Sequence, residues 1–382
     1  MRDFDIIVYG ATGFTGRLVA EYLVAEGVAR WAMAGRNLTK LQEVRDAIGA
    51  PADLPLLVAD SDDPAALRSL AERTQVVLTT VGPYQLYGSD LVAACAATGT
   101  GYVDLCGEPA WMRHMIDAHH AEAQRTGARI VFSCGFDSIP FDLGVLTLQD
   151  CARAKYGRPA PRVKGRVRTM KGSFSGGTAA SFRATLAAAA RDPSIVGLLT
   201  NPFSLTPGFS GPHQPVGLLP EFDPTLNTWV APFIMAAINT KNVHRTNFLR
   251  GHPYGTDFVY DEMMVAGLGE MGKAAAEAIA KLNPLGNDKG PKPGEGPSKE
   301  ERDSGHYDLL FVGLMPDGAR FDAVVTGDRD PGYGSTSKMI AETARCLVET
   351  EGDGGIWTPG ALLGTTLRDR LQDKAGLRFT AG

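Results

Sequence analysis

The chain has 382 residues, of which 44% are hydrophobic, and its 38 basic and 43 acidic residues leave a formal net charge of −5 at pH 7. This length is sufficient for two domains, each with its own buried core. Because charges of both signs are interspersed and form no basic stripe, nucleic-acid binding is excluded, and small-molecule chemistry is the expectation.

The cysteines and the N-terminal stretch bear on the cellular compartment. Five cysteines are scattered through the chain without a C-x-x-C pair: Cys95, Cys106, Cys134, Cys151 and Cys346. An odd number at irregular spacing predicts reduced thiols rather than disulfides, zinc ligands or another metal site. The stretch MRDFDIIVYG leads directly into a strand pattern without the features of a signal peptide, so we expect a cytoplasmic location.

No apolar run is long enough to cross a membrane, which takes roughly 18 residues. The nearest is the run 229–238, which Pro232 interrupts. We interpret this run as a buried core helix; an element that docks on a membrane surface is the weaker alternative. The sequence therefore predicts no transmembrane segment, and peripheral contact with a membrane stays open.

Short β-branched runs alternate with stretches of helical periodicity up to about residue 140. Strand patterns cover 5–9, 30–34, 56–59, 76–81, 102–105 and 129–133, and helical patterns cover 17–26, 38–48, 64–73, 89–98 and 110–126. Strands that are apolar on both sides need helices above and below, and right-handed crossovers then give a doubly wound parallel sheet. Residues 1–141 are therefore predicted to form an α/β domain of the Rossmann type.

The alternation ends near residue 142, and a second domain is predicted over 142–332. One further helix leads into the alternating stretch 162–171, and strand patterns recur at 257–264, 307–315 and 320–326, the last two joined by a PDG turn. These strands predict an α+β domain on a mainly antiparallel sheet, covered by an alanine-rich helix over 179–190. Residues 333–382 are predicted to form a helical segment that returns to the first domain.

Two segments rich in proline and glycine interrupt the second domain, and neither is expected to hold regular structure. The polar segment 283–305 is interpreted as a mobile surface loop. Segment 201–224 carries large apolar side chains, and we interpret it as a substrate lid: Phe203, Phe209, Leu218, Leu219 and Phe222.

The stretch VYGATGFTGRL, residues 8–18, places three glycines between the first strand and the first helix. A phosphate site needs backbone N–H groups at a helix N-terminus and room for the oxygens to approach, and glycines provide both. A tight turn is the alternative, because turns are also rich in glycine. The position of the glycines between a strand and a helix favours a dinucleotide site. The predicted pyrophosphate-binding residues are Gly10, Ala11, Thr12, Gly13, Phe14, Thr15 and Gly16.

The second strand ends in AGRN, with Arg36 at the position where NAD-binding proteins usually carry a carboxylate. A guanidinium holds a 2′-phosphate through charge-assisted bonds, so NADPH is favoured over NADH. A solvated arginine at a strand end is the alternative. Asn37 and Lys40 are predicted beside the same phosphate, and Asp60 and Ser61 near the adenine.

The fourth strand runs into TTVGPYQLYG, residues 79–88. Ligands of doubly wound sheets lie outside the carboxyl ends of the strands, so Val81, Gly82 and Pro83 are predicted to face the cofactor. Tyr84 and Tyr87 are the candidate proton donors. Ordinary packing with a satisfied hydroxyl is the alternative for each.

Carboxylates and thiols follow the fifth and sixth strands: Asp104, Cys106 and Glu108, then Cys134, Asp137 and Ser138. Carboxylates along one rim can position a substrate, but Asp137 precedes Ser138 and Pro140 at a helix start, and we interpret it as an N-cap. The cysteines have no basic neighbour in sequence, so a nucleophilic thiol is not predicted.

Seven blocks together resemble one family: YGATGFTG, AGRN, VGPYQLYG, YVDLCGE, CGFDSIPFDLG, SGGTAAS and DPGYGSTSKM. The chain resembles the saccharopine dehydrogenase-like oxidoreductases, in particular the branch with the trans-acting enoyl reductases of phthiocerol-type wall lipid synthesis. Phe141 departs from the pattern, since the family commonly has a small polar residue there. The resemblance implies an NADP-binding domain followed by a domain with the substrate cleft and often an oligomer interface, so a homodimer is an expectation.

Three functions are compatible with these features. The leading hypothesis is an NADPH-dependent reductase of an acyl or polyketide enoyl thioester, carried by a polyketide synthase or a fatty-acid system. A saccharopine-type amino-acid or imine dehydrogenase is the alternative, and its polar substrate would need cations such as Arg162, Arg166, Arg168 and Arg183; the apolar segment 201–224 argues against it. A non-catalytic NADP-binding sensor or scaffold is the third hypothesis.

Overall fold

The computed structural model describes residues 2–172, 176–282 and 295–382. Its first sheet has seven parallel strands in the order β13–β6–β5–β4–β1–β2–β3. The strands are β1 (Phe4–Tyr9), β2 (Trp31–Gly35), β3 (Leu56–Val58), β4 (Thr74–Thr79), β5 (Gly101–Val103), β6 (Arg129–Val131) and β13 (Gly355–Trp357).

Helices cover both faces of this sheet. They are α1 (Phe14–Ala25), α2 (Leu38–Ala47), α3 (Pro64–Glu72), α4 (Tyr84–Tyr87), α5 (Ser89–Thr98), α6 (Pro109–Thr126) and α13 (Thr336–Glu349). Helices α1 and α13 pack together on one face, whereas α3, α5 and α6 pack in a row on the other. The predicted Rossmann-type fold is confirmed.

The alternation of side chains along β1 explains why two layers of helices are needed. Ile6 and Val8 belong to the apolar core on one face of the sheet, and Ile7 and Tyr9 belong to the core on the other. In register, Tyr9 pairs with both Ala34 and Thr79. The loops after β1, β2 and β4 therefore leave the sheet at the same edge. We call this edge, with the loops after β5 and β6, the carboxyl edge.

The second sheet has seven strands in the order β14–β12–β11–β7–β10–β9–β8, and only β7 and β10 pair in parallel. The predicted mainly antiparallel sheet is confirmed. The strands are β7 (Arg162–Lys171), β8 (Glu221–Asp223), β9 (Thr228–Pro232), β10 (Val259–Gly267), β11 (His306–Leu314), β12 (Arg320–Gly327) and β14 (Leu377–Ala381).

The remaining helices surround the second sheet and join it to the first. They are α7 (Ile139–Tyr156), α8 (Gly176–Arg191), α9 (Pro193–Thr200), α10 (Ala236–Leu249), α11 (Gly269–Lys281), α12 (Lys299–Ser304), α14 (Pro359–Leu362) and α15 (Gly364–Lys374), with a π-helical turn over Pro331–Ser335. None of the helices in the described ranges is both long and apolar enough to cross a bilayer.

The predicted covering role of the alanine-rich helix is wrong. Helix α7, which is buried along most of its length, packs on β11, β12 and β14 instead. Helix α8 contacts the first sheet's loops, where its Ser181 and Thr185 hydroxyls bond to Glu108 and Gln85. The polar side chains Ser181 and Thr185 thus attach α8 to the loops of the first sheet.

Three other expectations from local sequence are corrected. The run 229–238 is not one core helix, because it ends strand β9 at Pro232 and then enters α10. Segment 201–224 does hold regular structure at its end, in β8. Of segment 283–305, residues 283–294 lie outside the described residues, and 299–304 form α12, whose Ser298 and Glu301 make a reciprocal capping box.

The chain after residue 332 reaches both sheets. Helix α13 packs against α1 and β4, β13 adds a strand beside β6, and β14 adds a strand beside β12. A continuous apolar core also joins the two halves, running from Val8 through Phe136 and Phe141 to Phe311. The division of the chain at residues 141 and 332 stays a prediction.

Candidate active site

The loop between β1 and α1 has the shape of an anion cradle. Gly10 has φ +89°, and a Cβ there would lie 2.7 Å from Val81 Cγ2; a Cβ on Gly16 would lie 2.2 Å from the carbonyl oxygen of Gly10. Both positions therefore require glycine. Helix α1 begins at Phe14 and no side chain caps its N-terminus, so its first N–H groups are left for an anion. The loop fits a dinucleotide pyrophosphate.

The predicted ribose-phosphate residues lie at the end of β2. Arg36 and Lys40 are both exposed there, where their charges can meet a 2′-phosphate. The side chain of Asn37 accepts the main-chain N–H of Lys40 at 3.0 Å and caps α2. Asn37 therefore has a structural role as the N-cap of α2, which the sequence analysis did not distinguish from cofactor binding.

Tyr9 gathers three predicted residues that come from different strands. Its hydroxyl lies near Ser61, Asp60 and Arg36, and burial followed by the negative charge of Asp60 raises the pKa of Tyr9 to about 12. The ends of β1, β2 and β3 thus supply one polar surface beside the glycine loop. Sequence reasoning missed Tyr9, although a tyrosine as the last residue of the first strand was a visible signal.

A distant segment covers the glycine loop. The ring of Phe14 packs edge-on against Tyr333, with centroids 4.7 Å apart, and the guanidinium carbon of Arg302 lies 5.6 Å from the Phe14 centroid. A Cβ on Gly296 would lie 2.5 Å from the same ring. Arg302 brings a positive charge to the N-terminus of α1, and no local pattern in the sequence indicated it.

The loop after β4 is held by a buried carboxylate. Glu108 accepts the main-chain N–H groups of Tyr84 at 2.8 Å and Gln85 at 2.9 Å, and the hydroxyl of Ser181 at 2.8 Å. Val81 is fixed by its N–H bond to Thr79 Oγ1, while Gly82 is exposed and Pro83 precedes α4. Glu108 joins the loops after β4 and β5 to helix α8.

The two candidate proton donors have different surroundings. Tyr84 is 5% exposed, and its hydroxyl accepts the N–H of Leu105 at 3.0 Å and lies 3.5 Å from the carbonyl of Thr79. Burial raises the pKa of Tyr84 well above its usual value. Tyr87 is 40% exposed. The hydroxyl of Tyr84 thus faces main-chain atoms, and the proton-donor role of either tyrosine stays a prediction.

Asp104 connects the ends of β5 and β6. Its carboxylate accepts the N–H groups of Cys106 at 3.0 Å and Ser133 at 2.9 Å and the hydroxyl of Tyr102 at 3.0 Å. Burial raises the pKa of Asp104 to about 7. Burial also raises the thiol pKa of Cys106 and Cys134 well above the usual range, which keeps both thiols neutral.

The interpretation of Asp137 as an N-cap is wrong. Ser138 is the residue that precedes α7, and no side chain caps that helix. Asp137 instead turns toward Asn239 of α10, and its Oδ1 is buried without a hydrogen-bond partner in the described residues. The interaction of Asp137 with Asn239, which belongs to the second half of the fold, thus replaces the N-cap hydrogen bond that the local sequence predicts.

Asp137 belongs to an acidic cluster, which we define as Asp137, Asn239, Tyr260 and Glu262. Glu262 accepts Nδ2 of Asn239 at 3.0 Å and the hydroxyl of Tyr260 at 2.8 Å. Burial raises the pKa of Glu262 to about 8 and that of Asp137 to about 7. The sequence missed Asn239, Tyr260 and Glu262. For Asn239 the buried polar side chains of α10 were an available signal; Tyr260 and Glu262 lie on β10.

Three of the four arginines predicted for a polar substrate, those on β7, form ion pairs within the protein. Arg166, 1% exposed, bonds to both Asp223 and Asp261, and Arg162 also bonds to Asp261. Arg168 pairs with Asp308. Arg183 is exposed on α8. These side chains of β7 therefore stabilise the second sheet and are not free for substrate carboxylates.

Residues 201–219, which we call the lid segment, begin beside α6 and α10 and reach β10 at Gln214. Gln214 ties it down by accepting the N–H of Tyr260 at 2.9 Å and donating to the carbonyl of Phe258 at 3.2 Å. Phe203 is buried at its start, whereas three large apolar side chains are about three-quarters exposed at its end: Val216 at 70%, Leu218 at 71% and Leu219 at 76%. The lid segment thus presents apolar surface next to the strand that carries Glu262.

A cavity of about 230 Å³ opens beside Glu108, between α6 and the α8–α9 pair. Its polar wall includes Gln85 and Thr185, and its apolar wall includes Trp111, Met115 and Ile195. The cavity extends the carboxyl edge with apolar surface.

Comparisons with known proteins agree with this geometry. The family model of the saccharopine dehydrogenase NADP binding domain matches residues 6–131. A Mycobacterium tuberculosis protein provisionally named a trans-acting enoyl reductase is 42% identical over 401 residues, covering 97% of this chain and 96% of the relative. The protein of Mycobacterium leprae named trans-acting enoyl reductase is 38% identical over 412 residues, with the same coverage of both chains.

Solved structures share the fold at low sequence identity. The apo saccharopine dehydrogenase (L-Glu forming) of Saccharomyces cerevisiae superposes with a TM-score of 0.56 at 11% identity, covering 99% of this chain and 100% of that chain. The amine dehydrogenase of Mycobacterium smegmatis gives a TM-score of 0.51 at 16% identity, covering 94% and 96%. With the family match and the relatives above, the chain belongs to the saccharopine dehydrogenase-like family of NADP-dependent oxidoreductases, together with the relatives named trans-acting enoyl reductases.

Proposed function

We propose that this enzyme reduces the α,β double bond of an enoyl thioester with NADPH, and that the substrate is an acyl or polyketide chain of lipid biosynthesis. The observation that carries the substrate class is the exposed apolar end of the lid segment, Val216, Leu218 and Leu219, beside β10. An acyl chain buries such side chains on binding, which a small amino acid cannot do. The names of the relatives support the same chemistry.

The proposed site has to bind the cofactor and to stabilise the enolate that forms from the substrate. Gly10 to Gly16 would hold the pyrophosphate, and Arg36 and Lys40 the 2′-phosphate, with Asp60 and Ser61 at the adenosine. Bound NADPH supplies a hydride for the β carbon of the substrate. The chain must then stabilise the enolate with hydrogen-bond donors, for which the amides near Gly82 and the hydroxyls of Tyr84 and Tyr87 are the candidates.

The saccharopine-type alternative is disfavoured by the ion pairs of β7. A substrate with three carboxylates needs several free cations, but Arg162, Arg166 and Arg168 already contact Asp261, Asp223 and Asp308. Freeing Arg166 would break its bonds to the buried carboxylates of Asp223 and Asp261, which is unfavourable inside the protein.

The partner and location of the enzyme are part of the proposal. A trans-acting reductase receives its substrate on the carrier of a separate polyketide synthase, and the word trans-acting in the relatives' names supports such a partner. We place the enzyme in the cytoplasm as a homodimer, with contact to a membrane surface left open.

The proposal is tested by following NADPH oxidation with a panel of enoyl thioesters on pantetheine, coenzyme A and carrier protein. We expect turnover that rises with chain length. A 2-oxo acid with an amine is the control substrate for the alternative, and turnover there alone would establish an amino-acid or imine dehydrogenase. Full occupancy by NADPH without turnover of either class would instead favour a sensor or scaffold. Tyr84→Phe and Tyr87→Phe then show whether either hydroxyl contributes to kcat.

A further inference from the structure

The loop after β6 places Asp137 at the part of the carboxyl edge that faces the second sheet. Ser133 N–H bonds to Asp104 on β5's loop at 2.9 Å, and Phe136 N–H bonds to Thr336 Oγ1 at 2.9 Å. Thr336 directly follows the turn whose Tyr333 packs on Phe14 of the glycine loop. Directly after Asp137, Ser138 Oγ accepts Asn242 Nδ2 at 2.8 Å, so the loop is fixed on both sides of Asp137. It lies where substrates of this fold bind.

Asp137 combines partial exposure with buried neighbours. As a residue Asp137 is partly exposed, whereas Asn239 is 0% exposed and Glu262 is 2% exposed. A proton donor must be reachable by the substrate and yet lie in surroundings that disfavour its charge. Among the carboxyl groups of the acidic cluster, Asp137 is the one that meets both conditions.

Two oxygens in the cluster lack a donor. Asp137 and Asn239 are hydrogen-bonding neighbours, and the Oδ1 atom of each is buried without a partner in the described residues. Buried acceptors without donors cost about 1–3 kcal/mol each. A proton on Asp137 turns one of these acceptors into a donor, so the cluster is built for a neutral carboxyl at this position.

We propose that Asp137 is the general acid of this site and delivers the proton that completes reduction at the α carbon of the substrate. The inference rests on the proposed enoyl reduction. Hydride from NADPH forms the new C–H bond at the β carbon and leaves an enolate; the O–H bond of Asp137 then breaks as the α carbon–hydrogen bond forms. Asp137 is left as a carboxylate, which takes up a proton from water before the next turnover.

The groups around Asp137 and Glu262 determine the pH range over which Asp137 can donate a proton. Glu262 and Tyr260 face Asp137's cluster from β10, Asn239 faces it from α10, and the charges of Asp261 and Arg166 reach it through β10 and β7. Burial raises the pKa of both Asp137 and Glu262, to about 7 and about 8. A general acid must be protonated, so kcat is expected to fall as the pH rises through this range.

The test compares wild-type enzyme with Asp137→Asn in D₂O, using the enoyl thioester that the wild type turns over. The wild type should give a single α-deuterated stereoisomer and an alkaline limb in its pH profile. Asp137→Asn should lose at least about 100-fold in kcat, give both α-deuterated stereoisomers and lose the alkaline limb, while its affinity for NADPH, measured by fluorescence titration, is unchanged.

Asp142→Asn is the matched control, because Asp142 is a buried carboxyl on α7, five residues after Asp137, that accepts Gly360 N–H at 2.7 Å. It should lower stability but keep a single stereoisomer. If the wild type is active and Asp137→Asn keeps its rate and stereochemistry, Asp137 is not the acid, although the proposed function stands. A wild type without enoyl reduction overturns both.

Discussion

The carboxylate of Glu108 accepts the main-chain N–H of Tyr84 at 2.8 Å, so a side chain at the end of β5 fixes the loop that follows β4. The same carboxylate binds Gln85 and Ser181, and Glu108 is 2% exposed. The loop after β4, the loop after β5 and helix α8 are therefore held together by one buried carboxylate.

Glu108→Gln is expected to lower the free energy of unfolding by about 2–3 kcal/mol, because an amide nitrogen would face N–H donors where an acceptor is needed. Urea denaturation followed by circular dichroism measures the change. Glu122→Gln on α6, the helix that follows Glu108, is the control, since the Glu122 carboxylate pairs with Arg125 at the surface and its loss should leave stability essentially unchanged. Equal stability of the two variants would show that Glu108 does not hold the loops together.

Arg36→Ala is expected to weaken NADPH binding by about 1.5–3 kcal/mol, or roughly 10- to 150-fold, because charge-assisted bonds to the 2′-phosphate are lost. NADH affinity should not change, since that cofactor has no phosphate there. Fluorescence titration with both cofactors gives the comparison. Arg68→Ala, which removes an exposed arginine paired with Glu72, is the control. A parallel loss for NADH would assign Arg36 to general structure instead.

The acidic cluster makes stability depend on pH in a defined direction. Burial raises the pKa of Glu262 to about 8 in the folded protein. Its contribution to stability is therefore complete below the unfolded pKa, near 4.3, and is lost as the pH rises toward 8, with a slope of at most about 1.4 kcal/mol per pH unit.

Glu262→Gln should remove this slope. Free energies of unfolding measured at several pH values between 5 and 8 are expected to fall less steeply for Glu262→Gln than for the wild type. Asp308→Asn serves as the control, because that carboxylate lies in a partly exposed pair with Arg168. Parallel curves for wild type and Glu262→Gln would mean that Glu262 is already charged in the folded protein at neutral pH.

The lid segment predicts a dependence on chain length. Replacing Leu218 and Leu219 together by serine should raise KM for long-chain enoyl thioesters, by roughly tenfold for about 1.4 kcal/mol of lost apolar contact. Short-chain substrates and NADPH affinity should be unaffected. Leu268→Ser, an equally exposed leucine before α11, is the control. The same KM for all chain lengths in the double variant would exclude the lid segment from substrate binding.

Local sequence was sufficient wherever a feature is decided by neighbours in the chain. The glycine loop is one case, because Gly10 and Gly16 are required by contacts within the β1–α1 turn and with the adjacent β4 loop. The alternation in β7 is another, and its predicted range 162–171 matches the observed strand. Short-range sterics and periodicity carry this information.

Local sequence was insufficient wherever a partner comes from far along the chain. Asp137 has the position of an N-cap, and only Asn239 and Glu262, from another helix and strand, give it a different role. Arg302 reaches Phe14 across most of the chain. Strand β13 is three residues long, too short for any periodicity, and it exists because β6 offers an unpaired edge.

Strands β13 and β14 come from the end of the chain, yet each completes a different sheet beside a strand synthesised much earlier. During translation, β6 and β12 remain edge strands until β13 and β14 have been synthesised. Such long-range pairing is slow to form and exposes strand edges to misassembly. The first sheet therefore gains its strand β13 only after the strands β7 to β12 of the second sheet have been synthesised.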